Sequence, residues 1–181
     1  MLGRLEVETD LRRAIERGEF RIHYQPIFAL ENREVLEVKA LLRWAHPRRG
    51  LVAPADFIPL AEETGLIVPI GQWALEEACR QTRAWHDRFP DQPLIGVSVN
   101  LSARQFQNPH LVRDIRAALR HAGLAPHLLK LEITESVVTN DAAGAVVTLK
   151  VVSVAPAFRP TCGATRVRTR QSGVPGCRGE D

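Results

Sequence analysis

The alternation of apolar and polar residues predicts strands separated by helices as far as residue 150. Residues 20–30 and 35–44 are rich in β-branched, aromatic and alternating apolar residues, which is typical of strands, and a polar turn at 31–33 joins them. Two more strands are predicted at 94–101 and 128–135. Strands that alternate with helices indicate parallel βα units, so the sequence predicts an α/β fold.

Helical spacing of apolar residues and local breakers predict the intervening helices, at 10–18, 54–63, 70–89, 109–122 and 141–150. Pro54 begins the second of them and Gly65 follows its end, which is where proline and glycine are favoured. Gly123 follows the fourth in the same way.

Composition excludes several classes of protein. The 181 residues carry 24 Lys+Arg and 21 Asp+Glu, and a formal charge of +3 is too small to indicate nucleic-acid binding. The sequence contains no apolar run long enough for a membrane helix, and its start lacks the apolar stretch of a signal peptide. Three cysteines without metal-type spacing do not indicate a disulfide framework. We expect a soluble, cytoplasmic protein without a membrane segment.

The composition changes after Lys150. Residues 151–181 contain no Leu, Ile or Lys but five Arg, four Gly and three Pro, and we expect this tail to be disordered. It is either a basic tail for nucleic acid or an acidic partner, or non-native sequence produced by translation in a shifted frame. The second interpretation is favoured because the regular pattern stops in the middle of a fold.

Four short motifs occur in a fixed order along residues 10–150. They are Tyr24-Gln25-Pro26-Ile27, Val38-Lys39-Ala40-Leu41-Leu42-Arg43-Trp44, Ser98-Val99-Asn100-Leu101-Ser102-Ala103-Arg104-Gln105-Phe106 and Leu131-Glu132-Ile133-Thr134-Glu135-Ser136. Their order and spacing resemble the EAL family of cyclic-di-GMP phosphodiesterases. The resemblance implies a TIM-type (β/α) barrel with one strand reversed, of which this chain has about the first four strands. We expect a lead-in at 1–9, a partial EAL-like domain at 10–150, and a non-homologous tail at 151–181.

The resemblance also implies a metal site that uses Mg²⁺ or Mn²⁺. Asn100 and Glu132 match the family's metal ligands, and Glu135 matches a Glu that stabilises a loop in the family. Both ligand candidates lie near the ends of predicted strands, where barrel enzymes carry their catalytic residues. Hard divalent cations prefer such oxygen ligands.

Four further residues match family positions that contact the dinucleotide: Gln25, Leu41, Arg43 and, less clearly, Arg104. The planar guanidinium of Arg43 is suited to phosphate, because it can donate two parallel hydrogen bonds. The alternative is that Arg43 pairs with a neighbouring carboxylate.

Lys39 occupies the position of the Glu that opens the family's Glu-Ala-Leu triplet and binds metal. An ammonium group has no lone pair and cannot ligate a cation. Glu37 lies on the same strand face but about 6.6 Å away along the strand, too far to substitute without a register slip. We therefore predict that Lys39 lies within a few ångströms of Glu132 or Asn100, in the place of the metal.

The family's Asp-Asp-Phe-Gly-Thr-Gly run, which would follow Lys150, does not occur in the sequence. We therefore expect a truncated and degenerate phosphodiesterase-family chain without hydrolytic activity. The alternatives are a non-catalytic receptor that still binds cyclic-di-GMP and a protein-interaction module. An incomplete barrel exposes strand edges, so we also expect self-association.

Overall fold

Five strands and five α-helices make up the part of the chain that the computed structural model describes, residues 4–133. In chain order they are α1 (Arg4–Glu16), β1 (Phe20–Phe28), β2 (Val35–His46), β3 (Gly50–Val52), α2 (Pro54–Thr64), α3 (Ile67–Arg88), β4 (Gly96–Leu101), α4 (Ala103–Phe106), α5 (Leu111–Ala122) and β5 (Leu129–Ile133). A 3₁₀ turn at Pro126–Leu128 leads into β5. The predicted helix at 141–150, the tail and Glu135 lie outside the described residues.

The strands form one mixed sheet in the order β1-β2-β4-β5, with β3 paired to β2 outside this path. β1 runs antiparallel to β2, whereas β2, β4 and β5 are parallel to one another. Helices connect the parallel strands, as parallel pairing requires. The predicted α/β architecture, a partial TIM-type barrel with one reversed strand, is confirmed.

One face of the sheet packs against the helices. A hydrophobic core joins the apolar side of β4 and β5 to α3 and α5, and Val97 and Ile115 lie at its centre with 1% exposure each. A second core lies where α1, α2 and the end of β2 meet, around Trp44 and Phe57, which are both fully buried. The opposite face of the sheet carries polar and charged side chains.

The structure differs from the sequence-based prediction at several element ends. Helix α1 begins at Arg4 rather than at residue 10. Helix α3 begins at Ile67 rather than 70, with Pro69 in its first turn, where a missing N–H costs no hydrogen bond. The short elements β3 and α4 were not predicted, because three or four residues carry no visible period. The side chain of Ser102 caps α4 in a capping box with Gln105.

Local chemistry explains where α2 ends. Gly65 adopts a left-handed conformation with φ of 80°, and its amide donates to the carbonyl of Glu62 at 3.2 Å. Glycine is favoured there because it has no Cβ to clash. None of the described helices is both long and apolar enough to cross a membrane.

Candidate functional site

The polar face of the sheet collects most of the predicted site residues. Side chains alternate along a strand, so Lys39, Leu41 and Arg43 of β2 point away from the helices, while Val38 and Ala40 are buried against them. In the strand register Gln25 of β1 lies opposite Lys39. Asn100 of β4 lies beside Glu132 of β5. Six of the predicted residues therefore share one face of four neighbouring strands: Gln25, Lys39, Leu41, Arg43, Asn100 and Glu132.

The Lys39 ammonium contacts the Glu132 carboxylate directly. Lys39 Nζ donates to Glu132 Oε2 at 2.6 Å, across the intervening strand β4. The side chains are 30% and 27% exposed, so water screens the pair only in part. The predicted position of Lys39 next to Glu132 is confirmed.

The surroundings of Glu132 favour its charged form. The hydrogen bond from Lys39 holds the pKa of Glu132 below its usual value against the opposing effect of burial, and the charges of Lys39 and Lys130 act in the same direction. Ser98 makes a smaller contribution of the same sign. The Ser98 hydroxyl is buried and makes no hydrogen bond of good geometry to another described residue.

Lys130 and Glu37 belong to this site, although the sequence analysis did not assign them to it. Lys130 Nζ lies 3.6 Å from Glu132 Oε1 and 3.3 Å from Glu37 Oε1. The contact with Glu37 raises the pKa of Lys130. The available signal was strand alternation, since Lys130 is two residues from Glu132 and therefore on the same face.

Arg43 and Arg104 occupy different surroundings. Arg43 is half-buried, and its Nη1 donates a hydrogen bond to the carbonyl of Leu42 at 2.8 Å. No ion pair with a carboxylate forms at Arg43 within residues 4–133. Arg104 instead donates to the carbonyls of Glu62 and Glu63 at 2.6 and 3.1 Å. It therefore caps the C-terminal end of α2, where a cation is favourable.

The described residues of the polar face do not fit the divalent cation that the sequence resemblance implies. One oxygen of Glu132 accepts a hydrogen bond from Lys39, and the other faces Lys130. An ammonium group repels a cation and provides no ligand. Within residues 4–133, no group of three or more His, Cys, Asp or Glu side chains could hold a metal ion.

Comparison with known proteins identifies the fold's relatives. The sequence profile of the EAL domain matches residues 8–153. The bifunctional diguanylate cyclase/cyclic di-GMP phosphodiesterase MucR of Pseudomonas aeruginosa is 47% identical over 149 residues, covering 82% of this chain and 22% of MucR. The signaling protein YkoW of Bacillus subtilis is 43% identical over 138 residues, covering 76% of this chain and 17% of YkoW.

A solved structure of a relative has the same fold. The MucR phosphodiesterase in complex with c-di-GMP superposes with a TM-score of 0.79 and 45% identity, covering 84% of this chain and 61% of that one. The chain spans about a fifth of the length of MucR and of YkoW. Because the family profile covers most of the sequence and the fold agrees with it, this chain belongs to the EAL domain family and is related to cyclic-di-GMP phosphodiesterases.

Proposed function

We propose that this EAL domain does not hydrolyse cyclic-di-GMP with Mg²⁺ or Mn²⁺. The observation that carries the proposal is the 2.6 Å contact between Lys39 Nζ and Glu132 Oε2. Two-metal hydrolysis needs both cations held about 3.5–4 Å apart by oxygen ligands. Asn100 and Glu132 are too few for two cations, and Lys39 repels both.

A second candidate function is binding of cyclic-di-GMP without turnover. Two observations favour it. The related MucR domain has been solved in complex with c-di-GMP. In this chain Gln25, Leu41 and Arg43 share the polar face with Lys39. Cationic side chains can neutralise a phosphodiester without metal, and Arg43 has a guanidinium that no described carboxylate neutralises. A receptor of this kind would act in bacterial second-messenger signalling.

A protein-interaction role, including self-association, is the third candidate. The hairpin between β1 and β2 exposes Phe28, Leu30 and Leu36 by 53%, 100% and 57%. β1 is also an outer strand of the described sheet. Sedimentation velocity tests self-association, since a monomer at every concentration would contradict it.

The hydrolysis proposal is tested with the purified 181-residue chain. Cyclic-di-GMP is incubated with Mg²⁺ or with Mn²⁺, and the linear product is quantified by chromatography beside an active EAL domain. We expect no product above the background of the Glu132→Ala variant. Metal-dependent turnover that disappears in Glu132→Ala would contradict the proposal.

The binding proposal is tested by titration calorimetry with cyclic-di-GMP in EDTA and again in Mg²⁺. We expect the same affinity in both buffers and at least about tenfold weaker binding for Arg43→Ala, which corresponds to 1.4 kcal/mol. Arg116→Ala is the matched control, because Arg116 is an exposed arginine on α5, away from the polar face. Absence of binding in both buffers would leave the interaction role as the remaining candidate.

A further inference from the structure

Four charged residues on the polar face form two ion pairs across β4, and the acid and the base exchange strands between the two pairs. Lys39 of β2 contacts Glu132 of β5 at 2.6 Å, and Glu37 of β2 contacts Lys130 of β5 at 3.3 Å. The sequence is thus Glu-x-Lys on one strand and Lys-x-Glu on the other. A bridging contact of 3.6 Å between Lys130 and Glu132 joins the two pairs into one chain of alternating charge.

Strand register and small residues on β4 allow the side chains of β2 and β5 to contact each other. Lys39 and Lys130 are both register partners of Ser98, so the two lysines lie at the same level of the sheet. Glu37 lies level with Gly96, and Glu132 with Asn100, so each lysine reaches the acid on the far strand. Gly96 has no side chain and Ser98 has a small, fully buried one. The long side chains of β2 and β5 therefore meet over β4.

We propose that these four residues act as one charge-complementary clamp, and that Lys130 with Glu37 forms a second barrier to divalent cations, independent of Lys39. The inference rests on the proposed function, in which Lys39 stands in the metal's place. Without Lys39, the Glu132 carboxylate would still face the Lys130 ammonium. Glu37, the carboxylate of β2, would still be held by the same lysine.

The clamp predicts which substitutions are needed for the polar face to bind a divalent cation. Lys39→Glu would place three carboxylates on the polar face, at positions 37, 39 and 132, but Lys130 would remain between two of them. Lys130→Gln removes that charge while keeping a side chain of similar length. Only the double variant removes both ammonium groups from the oxygens of Glu132, and a carboxylate oxygen is a ligand that a hard divalent cation prefers.

The experiment measures MnCl₂ binding by electron paramagnetic resonance, without nucleotide. Variants are the unmodified chain, Lys39→Glu, Lys39→Glu/Lys130→Gln, and Lys39→Glu/Arg116→Gln as the matched control for loss of a distant cation. We expect no binding by the unmodified chain and at least about tenfold tighter Mn²⁺ binding by the Lys130 double variant than by Lys39→Glu or the Arg116 double variant.

The outcomes separate this inference from the proposed function. Mn²⁺ binding at Glu132 in the unmodified chain would contradict the proposed function. Equal Mn²⁺ affinity of Lys39→Glu and the Lys130 double variant would overturn the inference and leave the proposed function intact. If Lys39→Glu variants do not fold, the Glu37→Lys/Lys130→Glu swap tests the clamp by thermal unfolding. The swap should recover most of the melting temperature lost in Lys130→Glu, and no recovery would overturn the clamp.

Discussion

Strand β2 presents Val38, Ala40 and Trp44 to the helices and Lys39 and Arg43 to the polar face. The first set is buried in two hydrophobic cores, whereas the second is only half-buried and interacts through hydrogen bonds and charge. Because side chains alternate, a residue on the polar face can change type without disturbing the core. A lysine at position 39, where the sequence resemblance implies a metal-binding Glu, is therefore compatible with the family fold.

The largest effect is expected on the face of the sheet that packs against the helices. Trp44 is fully buried, and its ring centroid lies 5.8 Å from that of Phe57 and 6.3 Å from that of Phe20. Trp44→Ala should lower the free energy of unfolding by about 3–5 kcal/mol, because it leaves a cavity where α2 meets the sheet. Urea unfolding measures the change.

The matched control for Trp44 is Leu51→Ala on β3. Leu51 is a large apolar residue but 56% exposed, so its removal should change stability by at most about 0.5 kcal/mol. Equal losses of unfolding free energy for Trp44→Ala and Leu51→Ala would show that a buried and an exposed apolar residue contribute equally to stability, which would contradict the comparison.

On the polar face we expect a smaller effect. Lys39→Met keeps the apolar stem and removes the charge, so Glu132 loses its 2.6 Å partner. We expect a loss of about 1 kcal/mol in the free energy of unfolding, since both groups are partly exposed. Urea unfolding at low ionic strength provides the measurement.

Arg80→Met is the control for Lys39→Met. Arg80 pairs with Glu77 at 2.7 Å within α3, but its side chain is 61% exposed. We expect a loss of at most about 0.5 kcal/mol there. A larger effect at Arg80 than at Lys39 would mean that the contact across β4 adds no stability.

The smallest prediction concerns pH and lies outside the polar face. Burial opposes ionisation of Asp10, but hydrogen bonds from His46 and Arg48 at 3.2 and 3.0 Å hold the pKa of Asp10 below its usual value. A lowered folded-state pKa gives stability that is present above the ordinary aspartate pKa. That stability is lost as the pH falls through the folded value.

Asp10→Asn should therefore reduce stability at neutral pH and flatten its decline on acidification. Thermal unfolding between pH 7 and pH 3 measures both effects. A decline in the variant as steep as in the unmodified chain would show that Asp10 does not contribute to acid sensitivity.

The sequence predicted the long elements well, because β2 and α3 each repeat an apolar pattern over many residues. It also predicted Lys39 within a few ångströms of Glu132 or Asn100, from the motif spacing and the opposite charges, and the structure shows the contact with Glu132. It did not predict the contacts of Lys130 with Glu37 and Glu132. Those depend on the register of three strands and on small residues at Gly96 and Ser98, which a single sequence does not fix. The capping of α2 by Arg104 was not predicted either, because it joins residues 42 positions apart in the sequence.

We propose that the Lys39 ammonium occupies the place of a metal ion. The most direct test is a crystal structure of the chain grown with MnCl₂ and cyclic-di-GMP, with anomalous diffraction recorded near the manganese edge. We predict Lys39 Nζ within hydrogen-bond distance of Glu132 and no anomalous peak at that carboxylate. A manganese peak ligated by Glu132 and Asn100, with Lys39 turned away, would contradict the account.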